Sequence, residues 1–546
     1  MDYAKLKQAR INKTKIAPYQ MITAVTQRAI NLQLGTMYKI NESLQKLTVL
    51  PADPKDDFSR LVASLDAPTI FLRLGDNNHV VILQLNIKSG TLKYKANGKN
   101  TTQVHLPRAL VTLPPCVLAF SVNLSFEGAG FASLPKPVQA RLKSKTNFSV
   151  KQLLVDFTSA NIAAVDVGRS TVYNYVKDGK AAFNTFIQKW FASLGKKNDY
   201  ILHYVPLATA EGRKDYPMPT VAPTDIAFQN YGFCPDLPPK SSTGGNENNM
   251  LVYLQATGGT ALPNKELLFS ANWVVPTPDN TDRYDGTVAL SKKTFLEDWL
   301  MPKLAEFNKA STWVPTEASW TFKGVYNEYR LVGVLGLQNA TPSEIMFTLW
   351  APENVSTAYK NKVGLKTPGH WFKYYYAKKL QDDWPPFNVY QVAVTQNVLF
   401  IPTGYNDNGK CKIFLWGTTT INLFARMDIG SGSSSSATIV GTWSTTITLD
   451  GVNDGELVIS VENIKPDIET TFEGKPMQDN ATAVFAGDME QGLKKLDMAP
   501  ILKSMRSVLT NEWDFVLPSG GDFYINKAVF NAEADLLCEL KYKFQA

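Results

Sequence analysis

Nine consecutive residues place the tightest constraint on what this chain folds into. Leu118, Phe120, Val122, Leu124 and Phe126 alternate with Ala119, Ser121, Asn123 and Ser125. A period of two puts the five large side chains on one face of a strand and the small and polar ones on the other. Such a strand needs partners for its backbone and a cover for its apolar face. Val81, Leu83, Leu85 and Ile87 alternate in the same way, and Leu153, Val155 and Phe157 repeat the pattern. Ser89 and Gly90 predict a hairpin turn from the Val81 run into residues 91–94.

Helical periodicity supplies the cover. Phe183, Phe186, Ile187, Trp190 and Leu194 fall at i, i+3, i+4, i+7 and i+11. That spacing draws one aromatic stripe along a helix of about four turns. SKKTFLEDWLMPKLAEFN (291–308) reads as a second helix, with Ser291 as N-cap and Phe295, Leu296, Trp299, Leu300, Leu304 and Phe307 on one face. Pro302 is expected to kink or break it. An opening helix is read from Ile22, Val25, Ala29 and Leu32. A last one, about 488–510, is read from Leu493, Leu496, Leu502, Met505 and Leu509, with Pro500 interrupting. Extended segments are expected at 251–255 and 267–275. A long β section follows, with strands at 322–337, 389–401, 413–429, 438–449 and 457–464, and the chain closes on strands at 513–517 and 528–542. The run GSGSSSSA (430–437) reads as a flexible loop.

With 546 residues the chain is too long for one ordinary core, and two or three domains are expected. Prolines 206, 217, 219, 223, 235, 238 and 239, followed by SSTGGNENN (241–249), mark a border within 206–249. The expected fold class is α+β. Long curved antiparallel sheets wrap around long amphipathic helices, in two modules spanning 1–215 and 216–546.

Net charge is +7 over a large surface, a mild excess that would favour an anionic membrane surface over a neutral one. No run of Lys and Arg interleaved with aromatics suggests a nucleic-acid channel. The basic start lacks an apolar segment behind it, and no stretch reaches roughly 18 apolar residues. The expected location is cytoplasmic, or outside the cell by export without a conventional secretory signal. Cys116, Cys234, Cys411 and Cys538 form no CxxC pair, which suits a reducing compartment or simple packing.

Chemistry-bearing patterns are sparse. His79, His105, His203 and His370 show no metal-ligand spacing. LVGVLGLQN (331–339) lacks the third glycine and following helix of a dinucleotide fingerprint, and no GxSxG elbow occurs. The acidic neighbours Asp56-Asp57, Asp382-Asp383 and Glu297-Asp298 read as charged turns or helix faces. The aromatic run HWFKYYYAKK (370–379) suits stacking on a sugar, insertion into a lipid interface, or packing against a neighbour. No catalytic residue, metal site or cofactor is expected.

Four segments carry a resemblance. TDIAFQNYGFCPD (224–236), LVYLQAT (251–257) and VALSKKTFLEDWLMPKL (288–304) resemble the forty-seven-kilodalton and OrfX-type accessory proteins of clostridial toxin clusters. WDFVLPSGGDFYINKAVFNAEADLLCELKY (513–542) resembles their C-terminal strands, and also the wider tubular lipid-binding (TULIP) superfamily. The resemblance implies an apolar tunnel between a curved sheet and long helices, holding a lipid or apolar small molecule. Phe183, Phe186, Ile187, Trp190, Phe295, Trp299, Leu300 and Leu304 are the expected lining. The partners it implies are that ligand, an anionic membrane surface, and a toxin or secretion-complex protein. Two alternatives stand beside lipid binding: an interaction protein acting through its surfaces, and an enzyme that uses an apolar cavity.

Overall fold

The computed structural model describes residues 2–546 except 52, 54, 75–78, 96–107, 135, 137–138, 140–147, 157–164, 195–200, 210–222, 237–245, 277–282, 323, 325–326, 365–366, 405–409, 429–432, 451–457, 475–480, 501–521 and 544–546. It is an α+β protein of long, curved antiparallel sheets with helices laid against them. The chain divides into two compact units. The first comprises 1–290, 510–526 and 538–546, and the second 291–509 and 527–537.

The first unit holds two sheets. In one, the strands run in the order Pro223–Tyr231, Met250–Thr257, Met21–Thr26, Gly286–Leu290, followed by the parts of the closing hairpin that belong to this unit, 538–543 and 522–526. Met21–Thr26 is buried at every position. Ile22 and Val25, expected in a helix, therefore lie in a central strand, and the helix begins only at Gln27. A β-branched run buried on both faces shows no period of two, so it imitates one side of a helix. The polar start, by contrast, forms a helix, Tyr3–Lys13, capped by the Asp2 carboxylate.

The other sheet of the first unit has eight strands. Its longest, Val80–Lys95, runs unbroken through Ser89 and Gly90, where a turn was expected. Residues 80–87 pair with 116–123, and 90–95 pair with 108–113. Gly90 is needed for approach rather than for a turn. A Cβ there would lie 2.8 Å from the Val62 carbonyl oxygen of the neighbouring strand.

The second unit is built on a seven-stranded sheet. Four of its strands, Gly369–Trp384, Phe387–Pro402, Cys411–Met427 and Ser433–Asp450, have 16 to 18 residues and reach about 50 Å. Ser433 to Ala437, expected in a flexible loop, pair with Met427 to Leu423 and belong to the fourth strand. Of the expected strand at 322–337, Asn327–Leu335 is extended, and it pairs as a hairpin with Trp313–Phe322, a strand that was not expected. Segment 267–275 is irregular, though Trp273, Val274 and Val275 are buried. The helix Ala481–Lys494 covers the start of the expected helix at about 488–510, and the segment 501–521, including Leu502, Met505, Leu509 and the expected strand at 513–517, lies outside the described residues. The expected strand at 528–542 is interrupted at Asn531–Asp535, where the closing hairpin turns.

Candidate functional site

Every expected lining residue is buried, and each stripe lies within its own unit. Phe183, Phe186, Ile187 and Trp190 fall in the first, on the helix Lys180–Leu194. Phe183 meets Tyr173 edge-on at 6.1 Å. Trp190 lies 5.9 Å from Phe191, which in turn packs on Phe120 at 4.4 Å. Phe120 belongs to the alternating run 118–126, so this helix covers that strand.

Phe295, Trp299, Leu300 and Leu304 fall in the second unit. Their helix opens with Ser291 as expected, since the Ser291 hydroxyl oxygen accepts from the Thr294 N–H at 3.1 Å. Asp535 adds a second cap by accepting from the Lys292 N–H at 2.8 Å. Pro302 does not break the helix. Lys293–Leu300 winds as a π-helix and Met301–Ser311 as an α-helix, and Pro302 stands where the wider π turns give way to the α segment. Phe295 sits 5.2 Å from Trp299 and 6.0 Å from Phe530. The Lys303 ammonium lies 5.8 Å over the Trp299 ring, and burial lowers its pKa. The indole N–H of Trp299 is buried and meets no acceptor among the described residues.

The far end of this helix meets polar side chains that the sequence reading missed. Asn397 donates to the Asn308 side-chain oxygen and to the Ser311 hydroxyl, both at 2.8 Å. Thr419 donates to the Ser311 carbonyl at 3.1 Å and lies 3.2 Å from the Thr395 hydroxyl. Thr312 donates to the Asn308 carbonyl at 2.6 Å, and its hydroxyl is 2.8 Å from that of Tyr374. All seven residues are buried. Asn397 Oδ1 and the Trp443 indole N–H, both beside Gly417, have no partner among the described residues. A Cβ on Gly417 would fall 2.0 Å from that indole nitrogen.

The histidines and acidic pairs stay apart. His203 is fully buried against the Tyr253 hydroxyl, and desolvation pulls its pKa down to about 3. His370 bonds the Ala532 carbonyl at 3.0 Å, His79 stacks edge-on with Phe228 at 5.0 Å, and His105 lies outside the described residues. Among the described residues no three His, Cys, Asp or Glu side chains gather as a metal site, and no helix is long and apolar enough to cross a membrane. All four cysteines are buried. Burial pushes Cys116 up to about 11, away from the thiolate a nucleophile needs. An open cleft of about 360 Å³ runs along the opening helix, lined by Ala4, Lys5, Gln8, Ala9, Asn12 and Lys13, and holds none of the stripe residues.

No protein-family model matches the chain, and no curated protein matches it in sequence. Solved structures do match. The chain is similar to P47 from Clostridium botulinum A2. The two share 11% identity over 98% of this chain and 100% of that one, with a TM-score of 0.46. It is also similar to a lipopolysaccharide binding protein, at 9% identity over 97% of this chain and 99% of that one, with a TM-score of 0.30.

Proposed function

We propose that this chain binds a lipid or another apolar ligand carrying at least one hydrogen-bond-accepting oxygen. One observation carries the reading. The helix face that carries Phe295, Trp299, Leu300 and Leu304 is buried and apolar, except for an indole N–H without an acceptor among the described residues. A buried donor left unpaired costs about 1–3 kcal/mol. An ester or carboxyl oxygen placed against it would remove that cost, while an acyl chain along that face would gain about 0.8 kcal/mol per buried CH₂. Phe183, Phe186, Ile187 and Trp190 would line a second apolar face, in the first unit. This reading needs no catalytic group.

Native mass spectrometry of the purified chain should find co-purifying lipid, and the delipidated protein should take up a fluorescent fatty acid. Trp299→Phe should weaken the fatty acid more than a hydrocarbon probe of equal length. Equal weakening of both would remove the role of the indole. Delipidated protein that takes up neither would overturn the reading. The rival view is of an interaction protein that acts through its surfaces on a toxin or secretion-complex component.

A further inference from the structure

One side of the seven-stranded sheet of the second unit is charged only at its edges. Gly369–Trp384, Phe387–Pro402, Cys411–Met427, Ser433–Asp450 and Asp467–Gly474 lie side by side in that order. Asn397 and Gly441 point to the inner side, against the helices Met301–Ser311 and Ala481–Lys494. The alternate positions therefore face out. At one end they are covered, where Trp371, Phe400 and Trp416 cluster with Trp350 and Val355. Beyond that end lie four rows, at the even positions 390–396, 418–424 and 436–442 of the three middle strands. Every side chain in these rows is part-exposed, and none is charged. A water-facing surface carries roughly a quarter to a third of charged side chains, so their absence here needs a reason. The charges stand on the two flanking strands. Lys379 and Thr471 are the ends of one row, which runs through Val392, Asn422 and Thr438. Glu469 and Glu473 lie one row to either side of Thr471. Tyr375, 58% exposed, and Asp467 are the ends of the row through Gln396. Lys379, Asp467, Glu469 and Glu473 are all exposed, and none makes an ion pair with a described residue.

We propose that this open face packs on the same face of a second copy, as a two-fold homodimer. Charge complementarity chooses the occupant. A two-fold axis close to the direction of Cys411–Met427 turns the sheet over and exchanges its two edges while keeping the rows in step. Gly369–Trp384 of one copy then lies over Asp467–Gly474 of the other. Each Lys379 stands over Thr471 of the other copy, between its Glu469 and Glu473, and the Tyr375 hydroxyl faces its Asp467. Every such contact is made twice, as a two-fold interface requires. An axis across the strands would instead lay acidic edge on acidic edge, which costs energy. The uncharged rows meet in the middle, where the stacked rings of Tyr390 and Phe424 and the side chains of Val392, Val394 and Val440 leave water. Two sheets pack this way about 10 Å apart, with strand directions within about 30° of each other. Four rows on five strands offer about 600 Å² per copy, or about 1,200 Å² in all. That is the lower end for a specific interface, so the dimer is reversible and depends on concentration.

The dimer is independent of the proposed interior ligand, and analytical ultracentrifugation of the full chain tests it. Monomer should give way to dimer between about 1 and about 100 µM. Lys379→Glu should weaken the dimer about tenfold or more, because it sets like charge on like charge in both contacts. The double variant Glu469→Lys with Glu473→Lys should do the same. Mixed in equal amounts, the two variants should pair about as tightly as the native chain, since each supplies the charge that the other now faces. All three positions are exposed, so these variants keep the fold. Lys378→Glu, on the inner side of the same strand, should change nothing. Val394→Asp should abolish the dimer at any salt concentration, with unchanged hydrogen exchange along 387–402 showing that the sheet is intact. Three results would overturn the proposal. They are a monomer throughout that range, charge variants that dimerise like the native chain, or a mixture that pairs no better than either variant alone. Loss of a different protein partner or of vesicle binding in Val394→Asp, with the native chain monomeric, would overturn it equally.

Discussion

The two units tie a helix to a sheet by opposite means. In the first, the helix Tyr3–Lys13 sends the fully buried Arg10 inward. Its guanidinium donates to the Trp273 carbonyl at 2.9 Å and to the Thr287 hydroxyl at 3.3 Å. It also pairs with Glu539 at 3.5 Å and lies 5.3 Å over the Tyr284 ring. In the second unit, the helix Met301–Ser311 is held by Asn308, Ser311, Thr395, Asn397 and Thr419, all of them neutral. Either solution satisfies buried backbone and fixes the position of the helix along the strands. The difference lies in what disturbs each. A charged tie fails badly when one partner is lost, because the survivor is stranded in a low-dielectric interior. A neutral seam loses hydrogen bonds one at a time and does not respond to pH.

The largest effect expected from this contrast is therefore on the first unit. Arg10→Met should cost about 3–5 kcal/mol, measured as lost hydrogen-exchange protection of residues 286–290. Replacing Glu539 with Leu as well should recover most of it. A single-variant cost below about 1 kcal/mol would show that the charge is not the tie. In the second unit, Asn397→Leu should cost about 1–3 kcal/mol along 387–402, since Asn308 and Ser311 lose their shared donor.

Acid should separate the units further. His203 is held neutral, with its pKa near 3 in the folded chain against an ordinary value of 6.5. Between those values the unfolded chain binds a proton that the folded one refuses. Stability contributed by the neutral ring is complete above about 6.5 and is lost as pH falls toward 3, at up to about 1.4 kcal/mol per pH unit. Exchange of residues 201–208 should steepen over that window, and His203→Phe should flatten it. An equally steep response along 387–402 would erase the contrast. The smallest effect expected is at Glu490→Gln, which removes a surface pair with Lys494 one helical turn away and should cost only about 0.3–0.5 kcal/mol.

How much of this was legible depends on whether local pattern and burial agree. Ile421, Leu423 and Ala425 alternate with Asn422, Phe424 and Arg426, and the first set is buried, as the pattern requires. The one misfit, Phe424 on the outer face, stacks on Tyr390 of the next strand at 4.8 Å. One strand away the rule inverts. Gln391, Thr395 and Asn397 point inward, while Tyr390, Val392 and Val394 are only partly covered. A polar residue on an alternating strand reads as wet, so the buried seam of the candidate site was hidden by its own composition. The aromatic stripes were legible because large side chains at helical spacing need a cover wherever the helix goes. The open, uncharged side of the long sheet was not, because exposure depends on what the rest of the chain leaves uncovered.

From the sequence alone came the long antiparallel strands and the burial of both helix stripes. Also local was the Ser291 cap. These follow from side-chain period and residue chemistry within a few turns of chain. Tertiary structure decided which strands pair: Met21–Thr26 lies between Met250–Thr257 and Gly286–Leu290, more than two hundred residues away. It decided that Gly90 is a point of close approach, that Asn397 faces a helix, and that Lys379 and Thr471 stand at the two ends of one row. In each case the reason is the same. Backbone pairing partners and residual exposure are set by contacts distant in sequence, which local pattern does not encode.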